Sequence, residues 1–158
     1  MQEKFSPYEI AQIAIGMEED GFAFYDKAAQ FAKNDKVKAI FYKLANDEIQ
    51  HKKEFSEKDF AQYFDDASDS LLELDRYIKD LFKTEIFPSI ENAEDYAKKI
   101  QSDKQAIELG MEQEKRAIKF YTELKKKVTL DKARMAIDDL IREETEHYQL
   151  LKEIYDSL

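Results

Sequence analysis

The chain has 158 residues, enough for one domain with its own core, and 43% of them are hydrophobic, which excludes a disordered acidic tail. Its formal net charge of −10 repels phosphate backbones, so no nucleic-acid partner is expected. It contains no cysteine, which rules out disulfides, thiolate metal sites, iron–sulfur clusters and thiol nucleophiles.

Three Gly and two Pro are few breakers for such a length, and the abundance of Glu, Lys, Ala and Leu favours helix throughout. The opening residues lack the basic and apolar regions of a signal peptide. No apolar run approaches the roughly 18 residues that span a bilayer. A cytoplasmic protein with no membrane partner is expected.

The first helix starts at Ser6-Pro7-Tyr8-Glu9, where Ser6 offers an N-cap and Pro7 fits the first helical position. It should run to about Lys33. Its apolar seam is Ile10, Ala14, Met17, Gly21, Phe24, Ala28 and Phe31, in steps of four and three. Asn34-Asp35 breaks it. A second helix, from about Lys36 to Tyr63, carries Val37, Phe41, Leu44, Glu48, His51 and Phe55 on one seam. Two polar residues thus sit inside an apolar stripe.

Residues 64–102 are less regular. Leu71, Leu72, Leu74, Ile78, Leu81 and Phe82 suggest one short helix, ended near Phe87-Pro88. The stretch is long enough to cross from one end of a bundle to the other. Its apolar residues exceed what one short helix buries on its own face, so a homodimer is expected. The third helix runs from about Asp103 to Val128, with Ile107, Met111, Glu114, Ile118 and Tyr121 on its seam. Thr129 reads as the cap of the fourth, whose seam is Ala133, Ile137, Leu140, Glu144, His147, Leu151, Ile154 and Leu158.

Shifting the sequence by 96 residues superposes the two halves without a gap. Glu18 falls on Glu114, Phe24-Tyr25 on Phe120-Tyr121, Leu44 on Leu140, Glu48 on Glu144, and His51 on His147. Each half, residues 6–63 and 103–158, is therefore a helical hairpin with the same polar positions, and the whole of 1–158 is one domain. Glu and His three apart project from one side of a helix. Four buried carboxylates without partners are costly, and two divalent cations balance them charge for charge. A ligand set of oxygen and imidazole nitrogen suits iron, manganese or zinc. One Glu from each of two helices, with Glu-x-x-His from the other two, is the pattern of dimetal carboxylate bundles.

The same residues read one at a time have plainer explanations. Glu18 has Glu19 and Asp20 beside it, and Glu112 points away from Glu114 on a solvated face. Tyr25 and Tyr121 follow the first Glu of their half by seven residues and share its face. They are either hydrogen-bond donors to ligands of the facing helix, in support of catalysis, or packing residues. Gly21 is either a site of close helix packing or room for a small oxidant beside the metals. Lys125-Lys126-Lys127 is either a solvated helix end or part of a docking patch.

Gly16–Tyr25, Leu44–His51, Met111–Tyr121 and Leu140–His147 resemble the rubrerythrin-like branch of the ferritin-like diiron-carboxylate superfamily. The resemblance covers the four main helices. It implies an all-α fold, a ferritin-like antiparallel four-helix bundle with one long crossover between helices 2 and 3. It implies metal ligation by Glu18, Glu48, His51, Glu114, Glu144 and His147, with Glu48 and Glu144 bridging or chelating and each His capping one metal. It also implies an oxidoreductase that reacts a reduced diiron centre with peroxide or dioxygen. Iron handling, by ferroxidation and storage or delivery, and a bundle with structural metals only are the alternatives. The chain lacks the cysteines of a rubredoxin domain, so an external electron-donor protein is expected. It also has Met111, Ala117 and Ile118 where rubrerythrins place an extra Glu near the third-helix ligand.

Overall fold

A computed structural model of the protein describes residues 7–57, 93–128 and 131–158. These form five helices: α1 (Pro7–Phe31), α2 (Asp35–Glu57), α3 (Ala93–Lys99), α4 (Asp103–Lys127) and α5 (Asp131–Ser157). Ser6 and Thr129, expected as caps, lie outside the described residues, as does the short helix expected around Leu71–Phe82.

The seams explain why these helices bundle. Phe24, Val37, Phe41, Leu44, Ile107, Ile137, Leu140 and Leu151 are all buried, each contributing roughly 1.5–3 kcal/mol on leaving water. Two seam positions depart from expectation. Phe31 and Leu158 are each 44% exposed; Phe31 is the last residue of α1 and Leu158 follows the last residue of α5, so both lie where their helices end.

α1 packs against α2, and α4 against α5, as two hairpins; the hairpins meet through α1 with α4 and α2 with α5. The buried side chains form two clusters. One joins Ala14 of α1 to Tyr121, Leu124 and Val128 at the end of the second hairpin's first arm, and to Ala133 and Ile137. The other joins Phe24, Ala28 and Phe41, around the first hairpin's turn, to Ile107, Leu151 and Ile154. The start of α1 therefore lies beside the end of α4, so the two run antiparallel, and the chain must cross the length of the bundle between α2 and α4.

Local chemistry fixes the turns. The Asn34 side chain accepts from the backbone N–H of Lys36 at 2.9 Å and of Val37 at 3.3 Å, capping α2. Ser102 caps α4 by accepting from Gln105 N–H at 3.1 Å. The Asp103 carboxylate accepts from the backbone N–H groups of Lys33 and Asn34 at 3.0 and 2.8 Å, which ties the first hairpin's turn to the start of the second hairpin. The seven-residue α3 was not expected from the sequence. Its periodic signal is a few residues long, and it is held by tertiary packing of α3 onto α1, with Ala97 buried.

Candidate metal centre

Between the two apolar clusters lies a polar layer. α1 supplies Glu18, α2 supplies Glu48 and His51, α4 supplies Glu114, and α5 supplies Glu144 and His147. None is more than 4% exposed. They belong to the same seams as the leucines and phenylalanines, so helical periodicity alone aims them inward. Ligand atoms of Glu18, Glu48, His51 and Glu144 lie within 4.8 Å of one another, and so do those of Glu48, Glu114, Glu144 and His147. Glu48 and Glu144 are common to both groups. The six residues thus make two overlapping four-residue sets, each ending in one Glu and one His of its own.

Around this cluster runs a ring of hydrogen bonds between the hairpins. Tyr25 donates to Glu114 Oε1 at 2.5 Å, and its hydroxyl lies 3.3 Å from the Gly110 carbonyl. Tyr121 donates to Glu18 Oε1. On the opposite side the imidazoles turn their outer nitrogens to acidic groups: His51 Nε2 is 2.5 Å from Glu143 and His147 Nε2 is 3.0 Å from Asp47. Such pairing fixes ring orientation and leaves Nδ1 directed at the cluster. The two rings lie nearly parallel, with centroids 5.6 Å apart.

Only some of the inner atoms are satisfied by one another: His147 Nδ1 pairs with Glu144 Oε2 at 3.1 Å. His51 Nδ1 lies 3.1 Å from Glu144 Oε1 and 3.3 Å from Glu18 Oε2. Those three atoms, and Glu114 Oε2, are buried without a hydrogen-bond partner. Convergent buried polar atoms that do not bond each other are costly as they stand. A cation between them removes that cost.

Electrostatics from the protein groups alone show the same strain. Burial pushes the Glu48 carboxyl well above the usual range, and Glu144 and Glu18 push it further. Burial and Glu144 raise Glu114 to about 8. Burial would lower both histidines, but the carboxylates win: Glu144 and Glu18 hold His51 at about 12, and Glu114 and Glu144 hold His147 at about 10. Burial would also raise Glu144, yet His147 and His51 pull it below the ordinary carboxylate range. Burial and the adjacent carboxylates keep Tyr25 and Tyr121 protonated as donors. Without another cation, the layer is neutralised by protons.

The family model described as rubrerythrin matches residues 9–155, nearly the whole sequence. The chain belongs to the rubrerythrin family. Among solved structures, the fold is similar to that of a Thermotoga maritima protein described as a ferritin-like diiron-carboxylate protein. The TM-score is 0.70 and the identity 21%, over 99% of this chain and 98% of that one. A comparison with curated proteins gives no match. The rubrerythrin-family bundle is thus all-helical among the described residues, and its Glu and His groups are suited to a dimetal centre.

Several alternatives left open by the sequence are decided by position. Both tyrosines are buried donors to a Glu of the other hairpin as well as packing residues, and Tyr25 stacks on Phe41 with centroids 5.9 Å apart. Glu112 is exposed, 3.5 Å from Lys115. Gly21 lies close under Glu48: a Cβ built there would lie 3.2 Å from Glu48 Oε2. Lys125 pairs with Asp138 at 2.5 Å and Lys126 with Glu123 at 2.9 Å. Sequence reasoning missed Asp47 and Glu143. The signal was available, since the 96-residue shift that pairs the ligands also pairs these two acids. Among the described residues, no helix is long and apolar enough to cross a membrane.

Proposed function

We propose that the chain is a diiron-carboxylate oxidoreductase in which a reduced dimetal centre reacts with peroxide or dioxygen. Glu18 and His51 would hold one ion, Glu114 and His147 the other, and Glu48 and Glu144 would lie between them. The observation that carries this reading is the pair of overlapping, buried ligand sets, four of whose inward atoms, Glu18 Oε2, His51 Nδ1, Glu114 Oε2 and Glu144 Oε1, have no hydrogen-bond partner. Bound iron would supply two electrons and Lewis acidity for reduction of the oxidant. The protein's own residues do the rest. Tyr25 and Tyr121 keep their hydroxyl protons and donate them in hydrogen bonds to Glu114 Oε1 and Glu18 Oε1. Asp47 and Glu143 orient the imidazoles through Nε2. The apolar clusters on either side keep bulk water from the layer. Manganese or zinc fits the same donors, and iron is preferred because the reading is a redox one.

These 158 residues hold no cysteine to carry an iron–sulfur or rubredoxin relay, so the electrons are proposed to come from outside them, from a donor protein. The isolated protein should therefore react once: loaded anaerobically with Fe(II), it consumes one equivalent of oxidant and stops, and a low-potential reductase with a small electron carrier restarts it. Stopped-flow mixing with hydrogen peroxide and with dioxygen tests this. Oxidation no faster than that of free Fe(II) in the same buffer would refute the proposal.

A further inference from the structure

The two hairpins are alike at every ligand, but they differ three residues beyond the first Glu. The first hairpin has Gly21 and the second has Ala117. Both positions are buried. The difference matters because of what lies over Gly21. A Cβ there would meet Glu48 Oε2 at 3.2 Å, Cδ at 3.3 Å and Cγ at 3.4 Å. The end of the Glu48 side chain rests so close over Gly21 that a methyl group there would make it give by a few tenths of an ångström.

The positions of the two shared carboxylates follow. Glu144 sits between the histidines, 3.1 Å from His51 Nδ1 and 3.1 Å from His147 Nδ1. Glu48 stands back from both, at 3.9 Å from His51 Nδ1 and 3.7 Å from His147 Nδ1. The repeat makes Glu48 and Glu144 equivalent in sequence, yet only Glu48 is withdrawn, and it is withdrawn toward the glycine.

We infer that Gly21 is a positioning residue that makes the two shared carboxylates inequivalent: it provides the recess into which Glu48 withdraws, leaving room beside the metals for a small anion or oxidant. Glu144 is the carboxylate that stays between the histidines. The inference rests on the metal-binding reading above and says where in that site the exogenous ligand goes. A methyl group at position 21 narrows the recess and shifts the Glu48 carboxylate by a few tenths of an ångström toward the histidines, where it competes with the incoming ligand. Metal binding itself survives, since all six ligands remain.

The test uses the cobalt(II)-loaded full chain and azide as the small anion, followed by visible absorption. The wild type should bind two cobalt ions and change its spectrum on azide addition. Gly21→Ala should still bind two cobalt ions and melt no lower than the wild type, while its azide affinity falls at least tenfold. Gly16→Ala is the control for helix propensity, because a Cβ there meets nothing within 4 Å; its azide affinity should match the wild type's. Azide binding by Gly21→Ala equal to the wild type's, an equal loss in Gly16→Ala, or loss of a cobalt ion from Gly21→Ala would each overturn the recess while leaving the metal site standing. A wild type that binds no cobalt would instead overturn the metal site itself.

Discussion

Loading the metal-free protein with two divalent ions at pH 7 should release protons in a number set by the cluster. At that pH His51, held at about 12, and His147, at about 10, both carry a proton to be displaced. Glu114, at about 8, and Glu48, raised well above its usual range, carry most of two more. Glu144 is already ionised, because the two histidines pull it down. Metal ligands must be deprotonated, so about four protons should leave as two ions enter. Four protons exchange for four positive charges, and the charge buried in the layer is unchanged. At pH 9 Glu114 has lost its proton beforehand, and the release should fall to about three. Calorimetric titration in buffers of differing ionisation enthalpy, or a pH indicator in weak buffer, counts the protons. Release of fewer than two protons at pH 7 would refute the charge assignment and the placement of the ions in this layer.

The same shifts set the pH dependence of the metal-free fold. Glu48, Glu114, His51 and His147 bind protons more tightly when folded, so stability should fall as pH rises from about 5 to 9; Glu144, lowered instead, acts the other way only below its ordinary range. A melting temperature that rises over pH 5.5–9 would contradict this, and the metal-loaded protein should show a much flatter profile. Asp47→Asn and Glu143→Gln, which weaken the pairing at the outer nitrogens of the histidines, should each lower metal affinity about 10–100-fold, measured by competition with a chelator. Glu48→Ala or Glu144→Ala should abolish binding of two ions at native affinity without severely unfolding the metal-free protein, because each removes a buried carboxyl; metal analysis and circular dichroism would expose a ligand set that is wrong.

The bundle was legible because its helices are long and their seams unbroken. α1, α4 and α5 begin or end within two residues of where the apolar period and the caps place them, wherever the described residues allow the comparison. The six candidate ligands were legible because Glu and His interrupt seams that are otherwise apolar, twice, at one spacing. Asp47 and Glu143 were not, because each sits one residue off the seam and is partly exposed at its own helix, and only the pairing of α2 with α5 brings it to a histidine. Periodicity within a helix says which face is inward; it does not say what stands opposite. The withdrawn position of Glu48 was hidden for the same reason. Gly21 reads as a weak point in α1 until α2 is laid over it.

Four hydrogen bonds around the centre run from one hairpin to the other. Tyr25 reaches Glu114 and Tyr121 reaches Glu18; His51 meets Glu143 and His147 meets Asp47. Each contact has its mirror under the 96-residue shift. Two copies of a single hairpin, meeting about a twofold axis, would make every one of them. The centre is in this sense a symmetric dimer interface carried within one polypeptide, and the long connection between α2 and α4 is the tether that joins its halves. Covalent linkage is also what allows those halves to differ. A true homodimer would need glycine, or alanine, at both positions 21 and 117, whereas this chain holds one of each.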